Sequence, residues 1–76
     1  MINEFAKIIE LEEIELQVLV TKKFDKLPAI RVETECEGNR HSVVYHFCSE
    51  IVRDLTFDSY NERQAHTFIK EHAHFK

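Results

Sequence analysis

Seven side chains in this sequence of 76 residues are of the types that bind transition metals: five histidines and two cysteines. Imidazole and thiolate hold zinc at characteristic spacings, and the sequence contains no C-x-x-C, H-x-x-x-H or H-E-x-x-H. On a helix, the His66, His72 and His74 of "HTFIKEHAH" fall on different sides, so no two share a face. The pair brought closest is Cys36 and His41 of "ETECEGNRHSVVYHF", because a two-residue loop at Gly38-Asn39 sets them directly opposite on one hairpin face. Two ligands are half a zinc site, and a third would have to come from His72 or Cys48. The competing reading makes Cys36 a small apolar residue and His41 the last rung of the sheet. Cys36 and Cys48 lie at opposite ends of this hairpin, roughly 20 Å apart at about 3.4 Å per residue, so both are expected as free thiols of a reducing compartment.

Nucleophilic or acid-base catalysis needs a histidine beside a nucleophile or an acid. His72 falls instead within an apolar helical stripe, while Ser42, Ser49 and Ser59 read as a strand residue and two helix caps. One glycine in the whole chain cannot build a phosphate-cradling loop, and neither a Rossmann nor a P-loop fingerprint is present. A non-catalytic chain without a cofactor is expected.

Carboxylates form the remaining pattern. Glu15, Glu33, Glu35 and Glu37 fall on the polar side of alternating segments with Gln17, Thr21 and Ser42. Alternate strand positions repeat at about 6.8 Å, near the phosphate spacing of a nucleic-acid strand, so such a row could present a phosphate-like track to a basic protein. Arg31 and Arg40 lie among these acids and neutralise some of them. Leu19 and Val44 interrupt the polar face and would suit a partner contact or a homo-oligomer.

The elements that position these residues follow from period and punctuation. Residues 1–76 are too few to divide between two cores, and 43% hydrophobic with 32% charged residues describes one ordered domain. Phe5, Ile8 and Ile9 behind an Asn3 N-cap suit a helix over about 4–10. From Glu13 the period becomes two, with Ile14, Leu16, Val18 and Val20 on one side of a strand. Lys22, Lys23, Asp25, Lys26 and Pro28 read as a turn, and a second strand follows with Ile30, Val32, Thr34 and Cys36 inward. A loop at 38 and 39 makes opposite residues sum to 77, pairing Thr34 with Val43, Val32 with Tyr45, and Ile30 with Phe47. "CSEIVRDLTFD" fits a short helix through Ile51, Val52 and Leu55 or a fourth strand through Ile51, Arg53, Leu55 and Phe57, and the lack of a tight-turn residue at Cys48-Ser49 favours the helix. Ser59 with Glu62 forms a capping box ahead of a helix over about 60–74, with Ala65, Phe68, Ile69, His72 and Phe75 facing the sheet and Arg63, Thr67, Lys70 and His74 opposite. The expected fold is α+β in the order α-β-β-β-(α)-α: a three-stranded antiparallel meander with helices on one face.

Ten Lys and Arg against fourteen Asp and Glu give a net charge of -4, and the excess acid lies in residues 1–38, with nine acids and five bases. This opposes direct nucleic-acid binding by counterion release. The element order is similar to that of the double-stranded RNA-binding domain, which grips phosphates with lysines at the start of its last helix. "SYNERQAHTFIK" offers only Arg63 there, so that function is not implied. In size, charge and order the chain also resembles small acidic inhibitors encoded by phages and mobile elements. "MINEFAKIIELEEIEL" places acids where a signal peptide needs an apolar run, and no 18-residue apolar stretch occurs, so a cytoplasmic protein with no membrane contact is expected. The resulting reading is a protein-interaction module that meets a basic partner through Glu15, Glu33, Glu35, Glu37, Leu19 and Val44. The alternatives are a metal-binding domain using Cys36 and His41, or a structural homo-oligomer.

Overall fold

The computed structural model describes residues 5–24 and 26–73. Asn3, Asp25, His74 and Phe75, given roles above, lie outside the described residues. Among the described residues, four strands form one antiparallel sheet in the order β1-β2-β3-β4: β1 (Ala6–Leu11), β2 (Leu16–Phe24), β3 (Pro28–Cys36) and β4 (Asn39–His46). Two helices follow, α1 (Glu50–Ser59) and α2 (Glu62–Phe68), the second continuing as a π-helical turn over Ile69–Ala73. The α+β class holds, but the meander has four strands rather than three.

The additional strand lies in the segment expected as a helix over 4–10. Seven residues are too few for a stable isolated helix, whereas as a strand β1 pairs all six of its residues with β2, from Ala6 opposite Thr21 to Leu11 opposite Leu16. Lys7, Ile9 and Leu11 then face the helices, and Ala6, Ile8 and Glu10 face away. A 3-10 turn at Glu12–Ile14 joins β1 to β2, so Ile14 precedes the strand rather than starting it. Lys22, Lys23 and Phe24 continue β2, and Pro28 opens β3, so among the described residues only Lys26 and Leu27 of the expected turn lie between the two strands. With a strand in first position, the element order no longer parallels that of the double-stranded RNA-binding domain.

The β3–β4 hairpin turns on Glu37 and Gly38, with φ of 54° and 81°, and not on Gly38-Asn39. Opposite residues therefore sum to 75: Cys36 with Asn39, Thr34 with His41, Val32 with Val43, and Ile30 with Tyr45. Moving the turn by one residue shifts each pair by two positions, so every side chain keeps its expected face. The new register also sets Glu35 opposite Arg40, a favourable cross-strand pair.

The core lies between one sheet face and the helices. Val18, Val20, Ile30 and Val32 meet Phe57, Ala65, Phe68 and Ile69, and all eight are buried. Thr34 is buried among them, its hydroxyl donating to the Gln17 carbonyl at 2.7 Å. His72 lies only at the margin of this layer, its ring 5.5 Å from that of Phe68.

Ser49 caps α1 by accepting from the Val52 N–H at 3.2 Å, as expected for a helix in this segment. The expected Ser59/Glu62 box is not formed, because Ser59 ends α1 and donates to the Thr56 carbonyl at 3.3 Å. The box belongs instead to Asn61 and Gln64. Asn61 Oδ1 accepts from the Arg63 and Gln64 N–H groups at 3.0 and 3.3 Å, and Gln64 Oε1 accepts from the Asn61 N–H at 2.9 Å. Extended backbone at Tyr60 and Asn61 thus separates two helices where one start was expected.

Three cations fasten α1 to the sheet. Lys7 donates to the Tyr60 and Asp58 carbonyls at 2.9 and 3.5 Å, occupying the negative end of the helix. The ammonium groups of Lys7 and Lys22 lie 5.0 and 4.9 Å from the Phe57 ring centroid. Lys22 also pairs with Asp54 at 3.3 Å. Arg53, only 5% exposed, donates to Asp54 at 3.0 Å and to the Lys23 carbonyl at 3.3 Å, with its guanidinium 4.6 Å from the Phe24 ring centroid. Hydrogen bonding from Arg53 holds the Asp54 carboxyl below the usual range, and burial lowers the pKa of the Lys7 ammonium.

The turn provides a direct test of register. Both of its central residues need φ > 0, a type I′ requirement that Asn-Gly meets better than Glu-Gly. Glu37→Asn is therefore expected to raise stability by about 0.5 to 1 kcal/mol, read as a higher melting temperature. A lower melting temperature would show residue 37 to be a strand position and the turn to lie at 38 and 39.

Candidate functional site

The sheet face turned away from the helices has no second layer on it among the described residues. Ile8, Leu19, Glu33 and Ser42 form one row across its four strands. On one side of that row stand Glu10 opposite Gln17, and Glu35 opposite Arg40; on the other, Thr21, Arg31 and Val44 line up from β2 to β4. A shallow concavity of about 890 Å³ opens where the first group meets the 3-10 turn. Five carboxylates line it, from Glu10, Glu12, Glu15, Glu33 and Glu35, with Arg40 as the one cation among the described residues, and Ile8 and Leu19 supply apolar surface.

Of the residues singled out from the sequence, Glu15, Glu33, Glu35 and Leu19 meet in this concavity. Glu37 occupies the hairpin turn at its edge, and Val44 lies on β4 opposite Arg31, with Glu33 and Arg31 between it and Leu19. Leu19 and Val44 therefore do not form one apolar patch. Ile8, Glu10 and Glu12 belong to the site; Ile8 and Glu10 were hidden by the expected helix over 4–10, and Glu12 falls between that helix and the strand expected from Glu13. The outward side of β1 would have been legible as the alternation of Ile8 and Glu10 against Lys7, Ile9 and Leu11.

The acids are lightly tied. Glu33 approaches Arg31 at 4.0 Å, and Glu10 accepts from Gln17 Nε2 at 3.4 Å. Glu15 and Glu37 are the two non-glycine residues with positive φ among those described, at 55° and 54°. Left-handed backbone costs an ordinary L-residue roughly 1 kcal/mol, and here both such positions carry acids bordering one surface.

The charge of this face is sharpened by what happens on the other side of the sheet. Lys7, Lys22 and Arg53 are three of the ten Lys and Arg residues, and all three are engaged between sheet and α1. They are engaged by Phe57, Phe24, Asp54 and the carbonyls of Lys23, Asp58 and Tyr60, so the solvent-facing surface is more acidic than a net charge of -4 implies.

Cys36 and His41 do not form the direct rung expected of them. Cys36 is opposite Asn39 and His41 opposite Thr34, which makes them diagonal neighbours. Cys36 is buried and Cys48 exposed, both as free thiols, and no group of three His, Cys, Asp or Glu side chains placed to hold a metal ion occurs among the described residues. No helix among the described residues is long and apolar enough to cross a membrane. Comparison of the chain with protein-family models, curated proteins and solved structures finds no match.

Because Glu35 is exposed and the largely covered Glu33 meets only Arg31, at 4.0 Å, the face can be altered without loss of the fold. Glu33→Gln combined with Glu35→Gln is expected to change unfolding free energy in urea by no more than about 0.5 kcal/mol. A loss of several kcal/mol would assign these acids to the architecture rather than to a surface.

Proposed function

We propose that this chain is a small non-catalytic protein-binding module that docks a basic surface of a partner protein onto the outer face of its sheet. The observation that carries this reading is the concavity on that face, where five carboxylates surround Ile8 and Leu19. Charged rims steer and orient a partner, while the apolar floor supplies area that gains from being covered. The spacing of Glu33 and Glu35 on alternate positions of β3, about 6.8 Å, suits a surface that otherwise meets successive phosphates. The partner class is therefore a nucleic-acid-handling enzyme, and occupation of its phosphate track would inhibit it. Left-handed backbone at Glu15 supports the same reading, since a strained acid is kept where an Asn or Gly would be easier.

The partner can be recovered on immobilised chain from a lysate of the cells that carry it, and its affinity measured for wild type and for the Glu12→Lys, Glu33→Lys, Glu35→Lys variant. The variant is expected to bind at least about tenfold more weakly, and wild-type binding to weaken steadily with added salt. Equal affinity of the two, or binding indifferent to salt, would refute the acidic sheet face as the contact.

A further inference from the structure

Helix α1 is amphipathic in the wrong sense for its place in the fold. Its buried residues are Arg53 and Phe57, while Ile51, Leu55 and Val52 are 72%, 64% and 48% exposed. At about 100° per residue these three aliphatics cluster nearly opposite the Arg53/Phe57 side of the helix. A soluble helix ordinarily does the reverse, and a contiguous apolar stripe on a small domain marks a contact surface.

The flanks of the stripe differ. Glu50, Asp54 and Asp58 follow one another at four-residue intervals along one side. Asp54 is tied to Lys22 and Arg53, and Asp58 lies in the field of the Lys7 ammonium, though neither Glu50 nor Asp58 forms a direct ion pair among the described residues. The other flank carries Thr56 toward a cleft of about 620 Å³ between β4 and the helices, walled by Tyr45, Phe47, Tyr60 and Phe68. The stripe is therefore bordered by acid on one side and continues into apolar surface on the other.

This arrangement selects among occupants. Two copies of α1 packed antiparallel about a two-fold axis would set the acid row of one against that of the other, which opposes antiparallel self-association through this face. We infer that α1 is a second docking surface, taking a basic amphipathic helix of a partner protein. The partner's apolar stripe would lie on Ile51, Leu55 and Val52, with cations about 12 Å apart, two helical turns, reaching Glu50 and Asp58. The surface lies on the helical side of the molecule and does not depend on the acidic sheet face.

The probe is a synthetic 18-residue amphipathic peptide of leucine and lysine carrying a fluorophore, compared by anisotropy with an isomer of the same composition whose order has no apolar face. Wild-type protein is expected to bind the amphipathic peptide, and the Ile51→Ser, Leu55→Ser variant to bind it about tenfold or more weakly with an unchanged melting temperature. The Glu50→Gln, Asp58→Asn variant is expected to weaken binding and flatten its salt dependence. Amide NMR shifts caused by the peptide are expected to centre on residues 51–58. Equal binding of the shuffled peptide would overturn the inference, as would wild-type affinity in the Ile51→Ser, Leu55→Ser variant, including the case in which Glu33→Lys with Glu35→Lys alone abolishes binding. A dimer seen by sedimentation and dispersed by the Ile51→Ser, Leu55→Ser variant would also overturn it, by assigning the stripe to a second copy.

Discussion

A sheet of four strands has two faces, and the helices of residues 50–73 are enough to cover one of them. That constraint sorts the rest of the sequence. Val18, Val20, Ile30 and Val32 on the covered face are fully removed from water, each worth about 1.5 to 3 kcal/mol by transfer. The opposite face must tolerate water, and its residues can be chosen for solubility or for contact with another molecule. Carboxylates beside Ile8 and Leu19 serve both ends.

The same constraint explains the use of cations inside the structure. A core this small supplies only a few kcal/mol of net stability, so additional fastening matters. Lys7 and Lys22 supply cation–π contacts to Phe57, each worth about 0.5 to 1 kcal/mol or more when partly desolvated, and Lys7 also completes the C-terminal end of α1. Arg53 is the more costly choice, since burying a guanidinium is favourable only when its donors and its plane are both used. Here Asp54, the Lys23 carbonyl and the Phe24 ring use them. Turning α1 over would bury Ile51, Leu55 and Val52 while exposing Phe57, so the observed orientation leaves aliphatic surface uncovered. The unequal distribution of charge follows directly: cations are drawn inward and acids remain outside.

Much of this was legible in the sequence where period alone decides. The alternation in β2 and β3 assigns Val18, Val20, Ile30, Val32, Thr34 and Cys36 to one side, and all six are buried. Glu33, Glu35, Glu15 and Leu19 were placed on the site by the same alternation. The failures share a cause, namely that local patterns fit two structures and tertiary contacts chose between them. Phe5, Ile8 and Ile9 match a helical face, yet pairing with β2 makes a strand, and that error removed Ile8 and Glu10 from view. Gly38 belongs to either of two adjacent turns, and cross-strand pairing selected the one that needs Glu37 at positive φ. Ser59 and Asn61 each precede a helix-compatible run with a capping partner three residues on, and only the break at Tyr60 separates them. Nothing local could reveal that Arg53 rather than Ile51 faces the sheet, because its partners are Lys23 and Phe24, some thirty residues earlier.

Acidic side chains on the uncovered face are the center of the functional reading, and their solvent accessibility in the assembled state can be measured directly. Carbodiimide-driven labelling of carboxyl groups, followed by mass spectrometry, compares the free chain with the chain bound to the partner recovered on it. Labelling at Glu10, Glu12, Glu33 and Glu35 is expected to fall sharply on binding, while Glu62 and Glu71 on the helical side label as before. Unchanged labelling of the four sheet-face acids in the complex would contradict the assignment of this face as the contact.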